Sequence, residues 1–483
     1  MTRIANIFRI LGILVMLYSI TLIPPILVEE WYKDGSLTPF VYSTLFLLFA
    51  GLLIWIPFRK YKTELLSRDG FIIVVAFWMV FAIVGAFPFY LTANPMLSFT
   101  DAFFESVSGV TTTGSTILIG LDKLPHSLLY YRQQLQFLGG MSIIILAVAI
   151  LPMLGVGGMQ LYRAETTGPV KDNKLTPRIA QTAKAILFIY LIFTIVCAIC
   201  YWLLGMGLFD AISYSFSTVS TGGFATHDLS MNYFYNPLLK LVAILFMFLG
   251  AVSFNLHFMV IHTQKIGIYR NDPELKTFMW LLLIFFICVW VGFFLFQVPD
   301  ESNIVLDSIF TVVSLCTTTG LIASDFSTWP AFIPLMLLFG GIIGGCAGST
   351  TGGLKVIRFL LLMKQGNREI NRLIHPHAHY TIKLGESPVS NKVIEGIWGF
   401  LAMYFGIFCL FLLLLLLTET DLLTAYTALI ASISNSGIGL GSVSHNFAQL
   451  SDLSKWILSF AMIVGRLEIF TILVLFSPEF WRN

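Results

Sequence analysis

The sequence predicts an all-α integral membrane protein made of four similar helical units around one axis, preceded by two further transmembrane helices. Of the 483 residues, 57% are hydrophobic and only 11% are charged, whereas soluble domains carry about 25% charged residues. Apolar stretches of about 20 residues recur along the chain, and this length crosses a bilayer core of about 30 Å. Between pairs of these stretches lie four short segments that resemble one another.

Ten apolar stretches have the length of membrane spans. The first has Arg3 and Arg9 near its start and continues to Leu27 without a cleavage site, which favours an uncleaved helix over a signal peptide. The eighth is too long for one helix and is interrupted by glycine. The spans are predicted at 9–28, 37–58, 70–92, 133–155, 181–204, 237–262, 277–298, 330–363, 393–418 and 455–477.

The basic residues predict the orientation of the chain. All but six of the 28 Lys and Arg lie on one side, mainly in clusters at 59–68, 163–184, 265–276 and 355–392. This side is predicted to be cytoplasmic, together with both termini. Fifteen of the 26 Asp and Glu lie on the outer side. They indicate either a vestibule that concentrates cations or a solvated outer face.

The four short segments share a pattern that is half the length of a span. About ten amphipathic residues are followed by small hydroxyl or amide residues and then by glycine at the fourteenth position. Such a run is too short to cross the bilayer and is typical of a re-entrant half-helix. The segments begin at Asp101, Asp210, Asp307 and Thr424, and their glycines are Gly114, Gly223, Gly320 and Gly437.

Each half-helix lies between two spans, and the repeated unit is therefore span, half-helix, loop and span. Four such units can close around one pore with approximate fourfold symmetry. The predicted divisions are 1–68 for the leading helices, 69–160, 180–264, 275–364 and 393–483 for the four units, and 365–392 for a cytoplasmic loop.

The loops after the half-helices have the composition of a cation filter. Non-helical backbone at membrane depth is tolerated where it lines a water-filled cavity, and its carbonyl groups can replace the hydration shell of a cation. Four matching loops make this interpretation stronger than close helix packing alone. The candidate backbone ligands are Val110, Thr111, Thr112, Thr113, Gly114, Val219, Ser220, Thr221, Gly222, Gly223, Cys316, Thr317, Thr318, Thr319, Gly320, Ile433, Ser434, Asn435, Ser436 and Gly437.

The half-helices are predicted to point their carboxyl ends, the negative ends of their dipoles, at the pore. Asp101, Asp210 and Asp307 stand at the opposite ends. We expect these carboxylates to cap free N–H groups of the helices and not to bind the ion.

A glycine-rich run interrupts the eighth span and is a candidate gate beneath the filter. It differs from a phosphate-binding loop because Gly353 is followed by Leu354 and no strand precedes it. Close packing through glycine is the alternative interpretation. The candidate gate residues are Gly344, Gly345, Cys346, Ala347, Gly348, Ser349, Thr350, Thr351, Gly352, Gly353, Lys355 and Arg466.

Arg466 belongs to this set because a charge inside the last span is costly and usually faces a cavity. We expect it to contact carbonyl or hydroxyl groups of the 344–353 loop. A salt bridge to another helix is the alternative, and Glu468 is not an obvious partner.

The cytoplasmic stretch 364–392 contains His375, His377 and His379. A docking surface for a soluble partner, shared with 163–178 and 265–276, is a better interpretation of it than a metal site, since no fourth ligand stands nearby.

Together the four filter glycines, the run GGCAGSTTGGLK and the GRLE of the last span resemble the Trk/Ktr/HKT superfamily over essentially the whole chain. The resemblance implies potassium transport, homodimers with one pore in each protomer, and a bacterial inner membrane location. It also implies regulation by a cytosolic ring protein of the TrkA type, with NAD or ATP bound only to that partner. No enzyme activity or nucleic-acid partner is expected.

In plant relatives, serine in place of the first filter glycine is associated with sodium permeability, so Gly114 favours potassium. Asn435 and Ser436 make the fourth filter depart most from a TTTG pattern. A proton- or sodium-coupled potassium symporter and the membrane subunit of an ATP-driven pump are the alternatives that the sequence leaves open.

Overall fold

A computed structural model describes residues 2–61, 67–145, 179–298, 304–378, 380–385 and 387–482. Within these ranges six helices are long and apolar enough to cross a membrane, or eight if each of two bent helix pairs counts as one span. The second half of the predicted span 133–155 lies outside the described residues, as do the 163–178 loop and His379.

The leading helices form a tight pair. α1 (Thr2–Ile20) is followed by α2 (Ile23–Tyr32), where two prolines in the first turn start a new helix after a short turn. α3 (Leu37–Phe58) returns antiparallel and packs closely on α1. A Cβ on Gly12 would lie 2.9 Å from the backbone nitrogen of Trp55 and 3.0 Å from the carbonyl oxygen of Gly51. Small residues therefore allow the two backbones to approach, as is common in membrane helix pairs.

The first two units follow the predicted order. Unit 1 consists of α4 (Ser67–Leu91), the half-helix α5 (Phe99–Val110) and α6 (His126–Ile145). Unit 2 consists of α7, the half-helix α8, and α9 followed by α10. Their bounds are Ile179–Leu203, Leu208–Val219, Pro237–Ala251 and Phe254–Thr263.

The other two units have the same order. Unit 3 contains the short α11, the span α12, the half-helix α13, and α14 and α15 on either side of the glycine-rich loop. Unit 4 follows a two-stranded antiparallel hairpin and contains α16, the half-helix α17, α18, α19 and the short α20. Their bounds are Gly267–Asn271, Pro273–Leu295, Ile304–Cys316, Phe332–Ile343 and Val356–Ile374, then β1 (Lys383–Leu384) and β2 (Ser387–Pro388), and Asn391–Leu416, Leu422–Ile433, Asp452–Arg466, Phe470–Phe476 and Pro478–Trp481.

The second span of a unit is broken more often than the sequence predicted. Only 330–363 was expected to be interrupted, but α9 and α10 meet at 92° and α18 and α19 meet at 109°. Neither break is at a proline. At the second one, Glu468 and Ile469 have φ of 55° and 47°, a region that β-branched residues rarely adopt.

The predicted capping role is wrong for Asp101 and Asp210. Ser98 caps α5, and no side chain caps α8. Asp101 and Asp307 form ion pairs with Lys455 and Lys240, with N–O distances of 2.7 and 2.6 Å. These aspartates lie inside the first turn, where their carboxylates reach across to lysines of a neighbouring unit.

Asp210 also forms side-chain contacts, because it accepts a hydrogen bond from Thr226 at 2.7 Å. Asp421 is a true cap, since its carboxylate accepts the N–H of Thr424. The ion pairs join unit 4 to unit 1 and unit 2 to unit 3. They therefore hold the closed arrangement of the four units at the end where the half-helices begin.

Gly12→Val is expected to weaken the α1–α3 pair, because the added side chain must push the α3 backbone away. Overpacking of this kind costs about 1–3 kcal/mol. The thermal unfolding midpoint in detergent should fall for Gly12→Val. It should change little for Gly406→Val on α16, where no atom lies within 4 Å of the added Cβ. Equal midpoints for the two variants would contradict this packing account.

Candidate ion pathway

The four candidate filter segments share one backbone conformation. In each, the residue two positions before the filter glycine has φ of 53–54°, although it is threonine in three units and asparagine in the fourth. The glycine itself has φ of 76–88°. Glycine adopts this region without steric cost. The positive-φ pairs are Thr112 and Gly114, Thr221 and Gly223, Thr318 and Gly320, and Asn435 and Gly437.

Amide groups of the filter segments turn back to the half-helices. The N–H of the residue before the glycine donates to a carbonyl near the end of its own half-helix at 2.8–2.9 Å. This satisfies helix-end carbonyls, as in a Schellman motif. These donors are Thr113, Gly222, Thr319 and Ser436, and their acceptors are Ser108, Ser217, Ser314 and Ala431.

The filter glycines close a ring through all four units. A Cβ on Gly114 would lie 2.2 Å from the carbonyl oxygen of Gly222, in unit 2. Gly223 and Gly320 pack in the same way against the carbonyl oxygen of the residue that precedes the filter glycine of the next unit. Gly437 packs against the corresponding carbonyl oxygen of unit 1, which closes the ring. The remaining distances are 2.1 Å from Gly223 to Thr319, 2.4 Å from Gly320 to Ser436 and 2.3 Å from Gly437 to Thr113. A side chain at any of these positions would collide with the neighbouring backbone.

A second set of glycines lies behind the filter, and sequence reasoning missed it. In three units a glycine of the second span packs against the last carbonyl of that unit's half-helix. A Cβ would lie 1.9 Å from Val110 O at Gly139, 2.8 Å from Val219 O at Gly250 and 2.1 Å from Ile433 O at Gly465. The sequences FLGGM, FLGAV and IVGRL around these glycines carry the signal that could have revealed the set.

Arg466 is a large residue that directly follows one of these glycines. It follows Gly465, whereas Gly140 and Ala251 occupy the matching positions in units 1 and 2. Its guanidinium donates to the carbonyl oxygens of Thr350 at 2.8 Å and Gly139 at 3.1 Å. The contact with the 344–353 loop that the sequence predicted is therefore present, and a second contact reaches unit 1.

The candidate gate loop touches the inner ends of several half-helices. Thr350 donates through its hydroxyl to Val219 O at 3.1 Å, and Gly352 donates its N–H to the Thr318 hydroxyl at 2.8 Å. A Cβ on Gly352 would lie 2.1 Å from Ser434 O. With Arg466 as the link to unit 1, the loop lies across the base of all four units.

Polar contacts from the spans hold this loop in place. Cys346 N–H donates to Ala251 O at 2.9 Å, and Phe254 N–H donates to Gly348 O at 3.0 Å. The carboxylate of Glu274, in the first turn of α12, accepts the N–H of Ala347 at 2.6 Å. The buried Lys355 donates to the carbonyl of Thr351. The backbone of the loop is thus bound on both sides.

Glu468 has a partner that sequence reasoning did not find. It forms an ion pair with Arg358, in the first turn of α15, and the Arg358 guanidinium also lies 4.2 Å from the centre of the Phe400 ring. This pair links the helix that follows the gate loop to the strained bend between α18 and α19. Pairing of residues 110 positions apart leaves no local signal in a single sequence.

A buried ion pair supports the outer end of the filter. Glu105 and Arg132 lie 2.6 Å apart with side chains 0% and 1% exposed. Glu105 also accepts the N–H of Ile117, and Arg132 donates to Ala225 O in unit 2. The pair therefore fixes the chain just beyond two neighbouring filter segments. A glutamate and an arginine within apolar segments were the signal in the sequence that could have predicted this ion pair.

A cavity of about 330 Å³ opens directly above the ring and is lined by all four filter glycines. His227 stands at its edge, 2.5 Å from Asp122 and 3.5 Å from Asp210. Burial lowers the pKa of the His227 imidazole, but hydrogen bonds with the two carboxylates outweigh this, and that pKa lies above its usual 6.5. A protonated His227 would offset part of the negative charge at this mouth.

Comparison with known proteins now identifies the family. A model of the TrkH family, described as cation transport proteins, matches residues 38–483. The chain belongs to the TrkH family.

Individual relatives agree with this family assignment over their whole length. The Trk system potassium uptake protein TrkH of Vibrio parahaemolyticus is 49% identical over 481 residues, which is 99% of each chain. The TrkH of Escherichia coli K12 is 48% identical, and TrkG of the same strain is 42% identical. The crystal structure of the potassium transporter TrkH from V. parahaemolyticus superposes with a TM-score of 0.90 at 46% identity. It covers 99% of this chain and 100% of that one.

This TrkH family member is accordingly a membrane-spanning cation transport protein, and its family is not one of enzymes. The predicted all-α architecture with half-helices between spans is confirmed. The structure brings all twenty candidate filter residues to the four helix ends. It also places the 344–353 loop and Arg466 together beneath them.

Glu105→Gln is expected to destabilise this TrkH family member by about 3 kcal/mol, because Arg132 would keep a buried charge without its counter-ion. The thermal unfolding midpoint in detergent should fall. Glu30→Gln, which changes an exposed carboxylate in the same way, should leave it within error. A Glu105→Gln midpoint equal to that of the unchanged protein would show that the pair does not support the fold.

Proposed function

We propose that this chain takes up potassium through a pore whose filter is made of the backbone carbonyl groups of residues 110–114, 219–223, 316–320 and 433–437. The closed ring of four glycines against four carbonyls is the observation that carries this proposal. Such a ring presents carbonyl dipoles from four sides, which is the arrangement that replaces water around a cation. The names of the full-length relatives, potassium uptake proteins of Trk systems, support potassium as the ion.

The path begins in the cavity above the ring. A hydrated cation would enter beside Asp210 and Asp228 and lose water at the filter, where helix carboxyl ends add a favourable potential. The membrane potential supplies about 2.3 kcal/mol per charge per 100 mV. Uptake in this direction therefore needs no chemical step in this chain.

The loop 344–353, with Lys355 and Arg466, is proposed to close the inner side of the filter. The loop contacts units 2, 3 and 4 directly, and Arg466 links it to unit 1 with a positive charge between Thr350 O and Gly139 O. A fixed cation near the axis opposes the passage of potassium by charge repulsion. Opening would require the guanidinium to leave these two carbonyls.

The setting of the pore follows from the family and from the distribution of charge. We propose a bacterial inner membrane location with both termini in the cytoplasm, since most Lys and Arg lie on the gate side. A homodimer and a cytosolic nucleotide-binding ring protein of the TrkA type are the proposed partners. NAD or ATP would act on that ring protein, whose docking surface would lie near the cytoplasmic end of α15.

Rubidium-86 uptake into proteoliposomes that contain the purified chain tests the pore. A membrane potential that is negative inside the vesicles should drive rubidium accumulation. Potassium should block this accumulation, and sodium should barely affect it. Sodium competition equal to that of potassium would contradict a potassium filter. If the unchanged chain is silent, Arg466→Ala is measured in the same vesicles. Absence of flux in both, with oriented and folded protein, would reject the pore.

Gly114→Ser is expected to reduce the discrimination between rubidium and sodium by about tenfold or more. The reason is that its Cβ would lie 2.2 Å from Gly222 O, so that one carbonyl of the ring must move. The ratio of initial uptake rates measures this change. Gly366→Ser on α15 is the control, because its Cβ meets no atom within 4 Å. Unchanged discrimination in Gly114→Ser would place the filter elsewhere.

Arg466→Ala is expected to raise rubidium flux several-fold in the absence of any regulatory partner, because it removes the charge, the hydrogen bond to Thr350 O in the loop and the hydrogen bond to Gly139 O in unit 1. Arg372→Ala, which removes an arginine that is 47% exposed on the same side of the membrane, should not alter flux. Equal flux in the unchanged protein and Arg466→Ala would remove Arg466 from the gate.

A further inference from the structure

A cleft outside the ion pathway lies on the gate side of the membrane. It has a volume of about 600 Å³ and is bounded by the end of α9, by α11 and by the first turns of α12. Phe248, Tyr269, Leu275 and Met279 contribute to its walls, and Trp280 stands at its opening with 64% of its surface exposed. The cleft therefore opens toward the apolar, exposed face of α12, where lipid chains would lie.

Only two charged residues line this apolar cleft, and both are basic. Arg270 and Lys276 are exposed and have no ion-pair partner among the described residues. The two nearby acids are turned elsewhere, because Asp272 caps α12 through the N–H of Leu275 and Glu274 binds the gate loop. An apolar cleft with an uncompensated basic rim at a membrane surface has the chemistry of an anionic lipid site.

We propose that this cleft binds an anionic phospholipid, with its phosphate between Arg270 and Lys276 and an acyl chain along Met279 and Trp280. The charge of the rim selects the anionic headgroup, and the depth of apolar wall selects a lipid over a soluble phosphate. The sequence also predicts a docking surface for a soluble partner that includes 265–276, but the cleft opens toward the exposed apolar face of α12, which favours an acyl chain as its occupant.

The site lies next to the gate-loop contacts. Leu275 and Lys276 directly follow Glu274, whose carboxylate accepts the N–H groups of Ala347 at 2.6 Å and Ile357 at 3.2 Å. The hydroxyl of Tyr269 forms a hydrogen bond with His257 in α10, just after the bend between α9 and α10. A lipid in the cleft would thus contact the same helix turn that holds the loop 344–353.

Quenching of tryptophan fluorescence by brominated lipids tests the site in the full-length protein. Brominated phosphatidylglycerol and brominated phosphatidylcholine are titrated into detergent-solubilised protein, and the difference from Trp280→Phe isolates the signal of Trp280. Phosphatidylglycerol is expected to saturate this signal at the lower mole fraction. The variant Arg270→Gln/Lys276→Gln should weaken it roughly 30-fold, about fivefold per basic residue.

The control variant Arg59→Gln/Lys392→Gln removes one arginine and one lysine that are exposed outside the cleft and should keep the preference for phosphatidylglycerol. An unchanged curve for phosphatidylcholine shows that each variant remains folded. Equal binding of both lipids, or a preference that survives Arg270→Gln/Lys276→Gln, would overturn the proposal. Quenching of Trp280 that appears only after a dimer is dissociated would assign the cleft to a second copy instead.

Discussion

The ring in which each filter glycine faces the carbonyl group of the next unit is the constraint on which the rest of this molecule depends. A Cβ at any of the four positions would lie 2.1–2.4 Å from that oxygen, so the loops meet only as bare backbone. Non-helical backbone at membrane depth needs its amides satisfied within the protein. The turn back to the half-helix provides those partners, and it requires the positive-φ residue two positions earlier.

Charges around the ring hold it from outside and below. Above the half-helices, Asp101–Lys455 and Asp307–Lys240 join neighbouring units, while the buried Glu105–Arg132 pair fixes the chain beyond two filter segments. Below, the Arg466 guanidinium donates to the carbonyl oxygens of Thr350 and Gly139. These two contacts join unit 4 to the glycine-rich loop and to unit 1.

Departures from fourfold symmetry are concentrated beneath the filter. Unit 4 has Arg466 at the position where units 1 and 2 have the small residues Gly140 and Ala251. Among the residues that the structure describes, the glycine-rich loop of unit 3 has no counterpart in the other units, and it contacts Arg466. Three units supply a threonine at the positive-φ filter position, while unit 4 supplies Asn435, which donates to Thr113 and to Met462 O. Asparagine tolerates this conformation better than threonine. The outer part of the pathway is thus nearly symmetric, and the asymmetric inner part is where we propose the gate.

The sequence by itself determined the membrane class, the repeated unit and the positions of the candidate filter segments and of the glycine-rich loop. Hydropathy, the placement of glycine and the repetition of the unit are local features of the chain. It also placed Arg466 near the loop, since a charge in a span needs a polar surrounding. The bends at 92° and 109°, the ion pairs of Asp101, Asp307 and Glu468, and the second set of glycines were decided only by tertiary structure. The ion pairs join groups 67–354 residues apart, and the second set of glycines depends on packing between two helices of one unit. A single sequence does not record which distant side chain a buried charge will meet.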